Sequence, residues 1–181
     1  KFGVSENLAG IIPSLLPFGT ILLTPFFGNV FDRKGKGATI MMVGSLLIIL
    51  VHLLFSVPVL NHWIIAVLLM IVLGIAFSLV PSAMWPSVAK IISEKQLGTA
   101  YALVFWIQNM IALMFVPAMI GWVLDKDCVI SSTVVDGQQT TSYNYTIPMI
   151  IFTVIGLTSL LFAFLLKLED KKKGYGLELP N

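Results

Sequence analysis

The sequence has 181 residues, of which 57% are hydrophobic and only 11% charged, with a mean hydropathy of +0.96. Soluble domains average roughly 45–50% apolar and about 25% charged residues, so this chain lacks the polar side chains to cover a water-exposed globule. A net charge of +2 is too balanced to point to nucleic acid, and a single cysteine can build neither an intrachain disulfide nor a thiolate zinc or iron–sulfur site.

Crossing about 30 Å of hydrocarbon as a helix takes about 20 apolar residues, and five stretches qualify. The first, 8–30, carries Pro13, Pro17 and Pro25 among Ser14, Gly19, Thr20 and Thr24. Such kinks suit a helix lining a pathway, although the hydroxyls could merely repair carbonyls that the prolines free. The second, 38–57, contains His52 in its outer half with Ser45 a heptad away. A histidine at that depth is either proton-sensitive or a hydrogen-bonded packing group. No charged residue lies between Lys36 and Lys90. A tight reversal at 58–62 therefore leads into the third span, which begins at Trp63 and extends to 92. The fourth is 97–123 and the fifth 147–166, separated by a polar 125–145 loop with Asp125, Asp127 and Asp136, expected to be a solvated hairpin. Residues 1–168 thus form one partial transmembrane bundle and 169–181 a tail.

The basic residues sort by side. If the 30–37 loop, the 90–96 loop and the tail are cytoplasmic, then Arg33, Lys34, Lys36, Lys90, Lys95, Lys167, Lys171, Lys172 and Lys173 lie inside, and only Lys1 and Lys126 lie outside. The positive-inside rule accordingly orients the chain with its N-terminus outside and its C-terminus cytoplasmic. Lys1 is no initiator methionine and no signal peptide precedes Leu8, so a fragment missing at least one upstream helix is expected. Asn144-Tyr145-Thr146 matches a glycosylation acceptor, but one set almost against the membrane. Cys128 is expected to be an unpaired loop thiol.

Three clusters carry chemistry. The short turn Gly28-Asn29-Val30-Phe31-Asp32-Arg33-Lys34-Gly35-Lys36-Gly37 has glycines for a tight reversal, then an acid and bases able to cap a neighbouring helix start and hold headgroups. It is not a phosphate loop, which would need a glycine where Val30 stands. Pro81-Ser82-Ala83-Met84-Trp85-Pro86 lies near the cytoplasmic end of the third span. Its two prolines suit a flexing inner gate, or an interfacial tryptophan beside a helix-ending proline. Gln108 and Asn109 are amides at mid-span, costly unless paired. Helical spacing aligns Gln108 with Tyr101, Val104, Ile111 and Phe115, a candidate cavity wall. It aligns Asn109 with Ala102, Phe105 and Ala112, a face for close packing.

With these residues in view, Gly-x-x-x-Asp-Arg-Lys-Gly-Lys resembles the signature loop of the major facilitator superfamily. Trp85-Pro86-Ser87-Val88-Ala89, Glu94-Lys95-Gln96-Leu97-Gly98-Thr99-Ala100-Tyr101, Gln108-Asn109 and Gly121-Trp122-Val123-Leu124-Asp125 resemble helices 10 and 11 of its lysosomal dipeptide-transporter branch and bacterial relatives. The resemblance implies an all-α integral membrane fold in which the five spans are helices 8–12 of twelve. It also implies that Gly28 is a close-packing position. Asp32 with Arg33, supported by Gly35 and Lys36, would gate one end state by meeting a helix start in the missing half.

The expected function is part of a secondary active or facilitative transporter moving a small polar solute, such as a dipeptide or an amino-acid-like metabolite, by alternating access. Trp85, Pro86, Tyr101, Gln108 and Asn109 would form its cavity or inner gate. Its partners would be the lipid bilayer, the solute and the missing N-terminal helices, with no nucleic acid, cofactor, metal or catalytic residue. A bacterial inner membrane is the expected location, or a lysosomal membrane in a eukaryote. The alternatives are a non-transporting membrane subunit and a membrane-embedded enzyme or redox subunit; two separated histidines and no acid within the spans argue against the latter.

Overall fold

The computed structural model describes residue 2, residues 6–135 and residues 138–180. Lys1 and Asp136, assigned above to the outer side, lie outside the described residues. The elements run α1 (Glu6–Lys34), α2 (Gly37–Ser56), α3 (Trp63–Ile91), α4 (Glu94–Gln108), a π-helical segment (Asn109–Phe115), α5 (Val116–Asp127), β1 (Val129–Val135), β2 (Gln138–Tyr143) and α6 (Thr146–Lys173). Since α4 passes through the π segment into α5, five helical stretches among the described residues are long and apolar enough to cross a membrane: Ala9–Lys34, Gly37–Ser56, Trp63–Ile91, Glu94–Asp127 and Thr146–Lys173.

Local chemistry accounts for most helix ends. At the 58–62 reversal, His62 caps α3 by accepting the Ile64 N–H on its Nδ1 at 3.3 Å. Ser93 precedes α4 with Glu94 in its first turn, an acid at the positive end of the helix dipole. Gly174 terminates α6 in the left-handed region at φ 69°, a conformation glycine adopts without a Cβ penalty. The π segment has a local cause in Pro117. Proline lacks an N–H and crowds the carbonyl four residues back, so the preceding turn widens, and the Val116 N–H reaches back five residues to the Ile111 carbonyl. Both prolines of α3, by contrast, sit inside one continuous helix.

The helices pack in a row, α1 on α3, α3 on α2 and α2 on α6, while the α4–π–α5 span touches this row lightly through α3 and α6. Small residues allow the approaches. A Cβ on Gly44 would come within 2.8 Å of Val80 Cγ2, and one on Gly156 within 2.9 Å of Ile49 Cγ1. One apolar cluster, Phe31, Met41, Ala83 and Ala163, joins α1, α2, α3 and α6 at the end carrying the α1–α2 loop. A second, Val51, Leu69 and Leu73 with Leu16 against them, joins α1, α2 and α3 toward the other end.

At that other end the 125–145 loop forms a β-hairpin, as expected. β1 and β2 pair antiparallel, with a register shift between Val129 and Ser131, as β-branched runs favour. Its base is tied down by Asn144 N–H to the Cys128 carbonyl at 2.7 Å and by Tyr143 Oη donating to Asp125 at 2.9 Å. Cys128 is a free thiol, but a buried one.

Candidate functional site

The turn between α1 and α2 is two residues long and strongly shaped. Gly35 and Lys36 both lie in the left-handed region, at φ 67° and 62°. For lysine that conformation costs on the order of 1 kcal/mol. A Cβ on Gly35 would collide with the Leu179 backbone, and one on Gly37 would come within 2.8 Å of both the Phe31 ring and Ser87 Oγ. These two glycines are the close-packing positions of the loop. Gly28, to which the resemblance gave that role, meets nothing within 4 Å among the described residues, because it lies two turns of α1 before the reversal on an open part of the helix. Asp32 and Arg33 are exposed in the last turn of α1.

Lys90, in the last turn of α3, lies 5.4 Å from the Phe31 ring and donates from Nζ to the carbonyls of Gly176 and Leu179. The loop end is therefore one connected structure: α1, the loop, the end of α3 and the residues after α6. The expected alignment of basic groups follows from topology, since α1, α3 and α6 end here and α2 and α4 begin here.

Further along α3, Trp85 is the side chain around which the mid-span residues gather. Its ring meets Tyr101 edge-on at 5.5 Å and lies 6.4 Å from Phe105, while Tyr101 Oη donates to the Trp85 carbonyl at 3.0 Å. Two clefts flank it. One, of about 500 Å³, lies between α4 and the row and is lined by Trp85, Pro81, Met84, Gln108 and Ser159. The other, of about 560 Å³, is lined by Trp85, Tyr101, Ala102, Phe105, Trp106 and Asn109. Tyr101 thus faces the Asn109 cleft and not the Gln108 cleft in which spacing alone had put it. The tyrosine is drawn toward Trp85, whose ring stands between the two. Pro86 lines neither cleft.

Several polar groups of the spans are satisfied locally. Asn109 Nδ2 donates to the Phe105 carbonyl, one turn back on its own helix, at 2.7 Å. Ser45 is fully buried, donates to the Met41 carbonyl and lies 2.9 Å from Ser159 Oγ. Ser159 was missed from sequence, because a lone serine in an apolar helix carries no periodic signal; only its partner on α2 and its place in the Gln108 cleft mark it. His52 stands apart, nearer the hairpin end. Its Nδ1 is 2.8 Å from the Ile48 carbonyl and its ring 5.3 Å from Phe152, and it lines an apolar recess of about 390 Å³ with Phe55, Met70 and Tyr145. In α1, Ser14 donates to the Ile11 carbonyl and Thr20 to the Leu16 carbonyl. The prolines free the carbonyls four residues before them, those of Ala9, Pro13 and Ile21, so these hydroxyls do not repair them. The Thr24 hydroxyl is buried with no partner among the described residues.

Comparison with known proteins bears on this arrangement. The lysosomal dipeptide transporter MFSD1 of Homo sapiens is 32% identical over 126 residues, covering 70% of this chain and 26% of the relative. The proteins of the same name from Bos taurus and Danio rerio are each 33% identical, over 69% of this chain and 26% of their own length. The matched region therefore spans about a quarter of these curated relatives. No solved structure matches the chain. The model of the Major Facilitator Superfamily, however, matches residues 1–179, from the first apolar span through the tail that closes over the loop. A match of that extent decides the family: the chain belongs to the major facilitator superfamily.

Proposed function

We propose that this chain is the C-terminal part of a secondary transporter that moves a small polar solute across a membrane by alternating access. The observation that carries the reading is the shaped α1–α2 turn: a two-residue left-handed reversal that ends α1 with exposed Asp32 and Arg33 at one end of a set of apolar spans. In this reading the basic end is cytoplasmic, as the positions of Arg33, Lys34, Lys36, Lys90, Lys95, Lys167 and Lys171–Lys173 support. The five spans are helices 8–12, and Asp32 closes a cytoplasmic gate against a helix start in the upstream half. Gln108 and Ser159 supply the hydrogen-bonding groups of an otherwise apolar cleft beside Trp85, a composition suited to the uncharged polar groups of a small solute. The transporter-named relatives favour dipeptides or amino-acid-like solutes, and transport over catalysis. A lysosomal membrane fits those relatives, and a bacterial inner membrane fits a bacterial source.

The test is uptake by the full-length protein in proteoliposomes, against a panel of dipeptides, amino acids, sugars and organic anions, with and without a pH gradient. Saturable uptake of one solute class, lowered at least about tenfold by Asp32→Asn, is the expected result. Uptake unaffected by that substitution would sink the gating role. A folded full-length protein that moves no member of the panel would sink the solute assignment.

A further inference from the structure

The segment after α6 is built into the loop end. Gly174 and Gly176, at φ 69° and 77°, turn the chain back, and Leu177 is fully buried. The Leu177 N–H is held by the buried Asp170 carboxylate at 3.0 Å. From there the tail meets the start of α2, which has no capping side chain of its own: its preceding residue is the left-handed Lys36 and its first turn holds no acid. The tail supplies what is missing. The Leu177 carbonyl accepts the Gly37 N–H at 2.8 Å, and the Glu178 carbonyl accepts the Lys36 N–H at 3.2 Å. The Glu178 carboxylate takes the Thr39 N–H at 3.0 Å and the Thr39 hydroxyl at 2.7 Å. Lys167 of α6 closes the set, donating to Thr39 Oγ1 at 2.6 Å and lying 3.8 Å from Glu178. A carboxylate on the exposed amides of a helix start is favourably placed against both the orphan donors and the helix dipole.

We infer that Gly174–Pro180 is a strap that holds the α1–α2 loop in its gating conformation, stitching the start of α2 to the ends of α3 and α6. The inference rests on the gating role proposed for Asp32. A left-handed lysine persists only where surrounding contacts hold it. Here the contacts to Lys36, Gly37 and Thr39 come from the segment that follows α6. Releasing the strap therefore frees the loop that carries the gate while leaving the apolar packing of the spans in place, and the state of the tail controls the gate.

Hydrogen exchange on the full-length protein in lipid nanodiscs tests this, comparing the unmodified protein with one stopped after Tyr175 and with Glu178→Gln. Truncation is expected to speed exchange across 35–40 by about tenfold or more, while residues 44–56 of α2 keep their protection. Glu178→Gln is expected to do less, since an amide oxygen still accepts the Thr39 N–H but Lys167 loses its counter-charge; this variant keeps the test open if truncation prevents folding. Uptake by both variants is expected to shift in the direction of Asp32→Asn. Unchanged exchange at Gly37 and Thr39 overturns the strap, and so does a uniform rise along all of α2, which would make the tail a general packing element. Faster exchange with normal uptake, where Asp32→Asn abolishes uptake, overturns the strap's link to the gate. Faster exchange with uptake indifferent to Asp32→Asn overturns the gating reading and leaves the strap standing.

Discussion

A hydrogen in place of a methyl at Gly44 is what lets α2 lie against α3. The missing Cβ would meet Val80 Cγ2 at 2.8 Å and the Ala76 carbonyl at 3.2 Å, the second being backbone that cannot rotate away. Gly44→Ala gains up to about 1 kcal/mol in helix propensity but forces an overpacked interface costing about 1–3 kcal/mol. The net expectation is destabilisation, seen as a lower unfolding temperature of the full-length protein in detergent. On the hairpin end, the hydrogen bond from Tyr143 to the Asp125 carboxylate is the main reason its phenol titrates above the ordinary value of 10.0. A raised folded value means that the contact's stabilisation is present below pH 10 and is lost as pH climbs through the raised value. Phenolate absorbance should show Tyr143 ionising at lower pH in Asp125→Asn, and an unmoved titration would count against the contact. Neither partnership was legible in the sequence, since Gly44 and Val80, like Asp125 and Tyr143, meet only after two elements are placed side by side.

At the scale of elements, the α4–π–α5 span depends on few attachments. None of the residues of α4 or the π segment is buried, and the α3–α4 connection runs through Trp85, Tyr101 and Phe105. Tyr101→Phe keeps the ring contact and removes the hydroxyl donated to the Trp85 carbonyl, and should cost about 1 kcal/mol of stability. Tyr101→Ala should cost about 0.5–1.5 kcal/mol more, for the lost edge-on ring pair. Chemical denaturation of the full-length protein separates the two: an unchanged Tyr101→Phe would show that the hydroxyl contributes nothing, and equal losses would show that the ring pair adds nothing. The span was readable from its apolar run; the π segment inside it was not. Pro117 removes one amide from the helix, and which turn widens depends on where the Val116 amide finds a carbonyl. The hairpin was readable from the polar 125–145 loop, without any periodicity to place its strands. Its pairing is decided by the register of two strands.

At the scale of the whole molecule, the row α1–α3–α2–α6 is a packed unit with α4 and α5 lying against it, and that span leaves large apolar side chains exposed, such as Leu113 at 70% exposure. In the transporter proposed above, the upstream helices are the expected source of its cover. Amides of Asn109–Phe115 should therefore exchange faster when this chain is expressed alone than in the full-length protein, while those of α2 should differ little; equal rates in both would contradict that dependence. The sequence by itself determined what one-dimensional chemistry can encode. Apolar run length set the number of spans, the few charges marked one end of the bundle, and the resemblance of its motifs pointed to the family. The tertiary structure alone decided that Gly35 and Gly37 pack closely in the loop, that Trp85 separates two clefts, that Ser159 partners Ser45, and that Glu178 caps a helix 139 positions away in the chain. The physical reason is common to all four. Hydropathy and charge act residue by residue along the chain, whereas a hydrogen bond or a steric contact is set by which elements the fold brings within a few ångströms of each other.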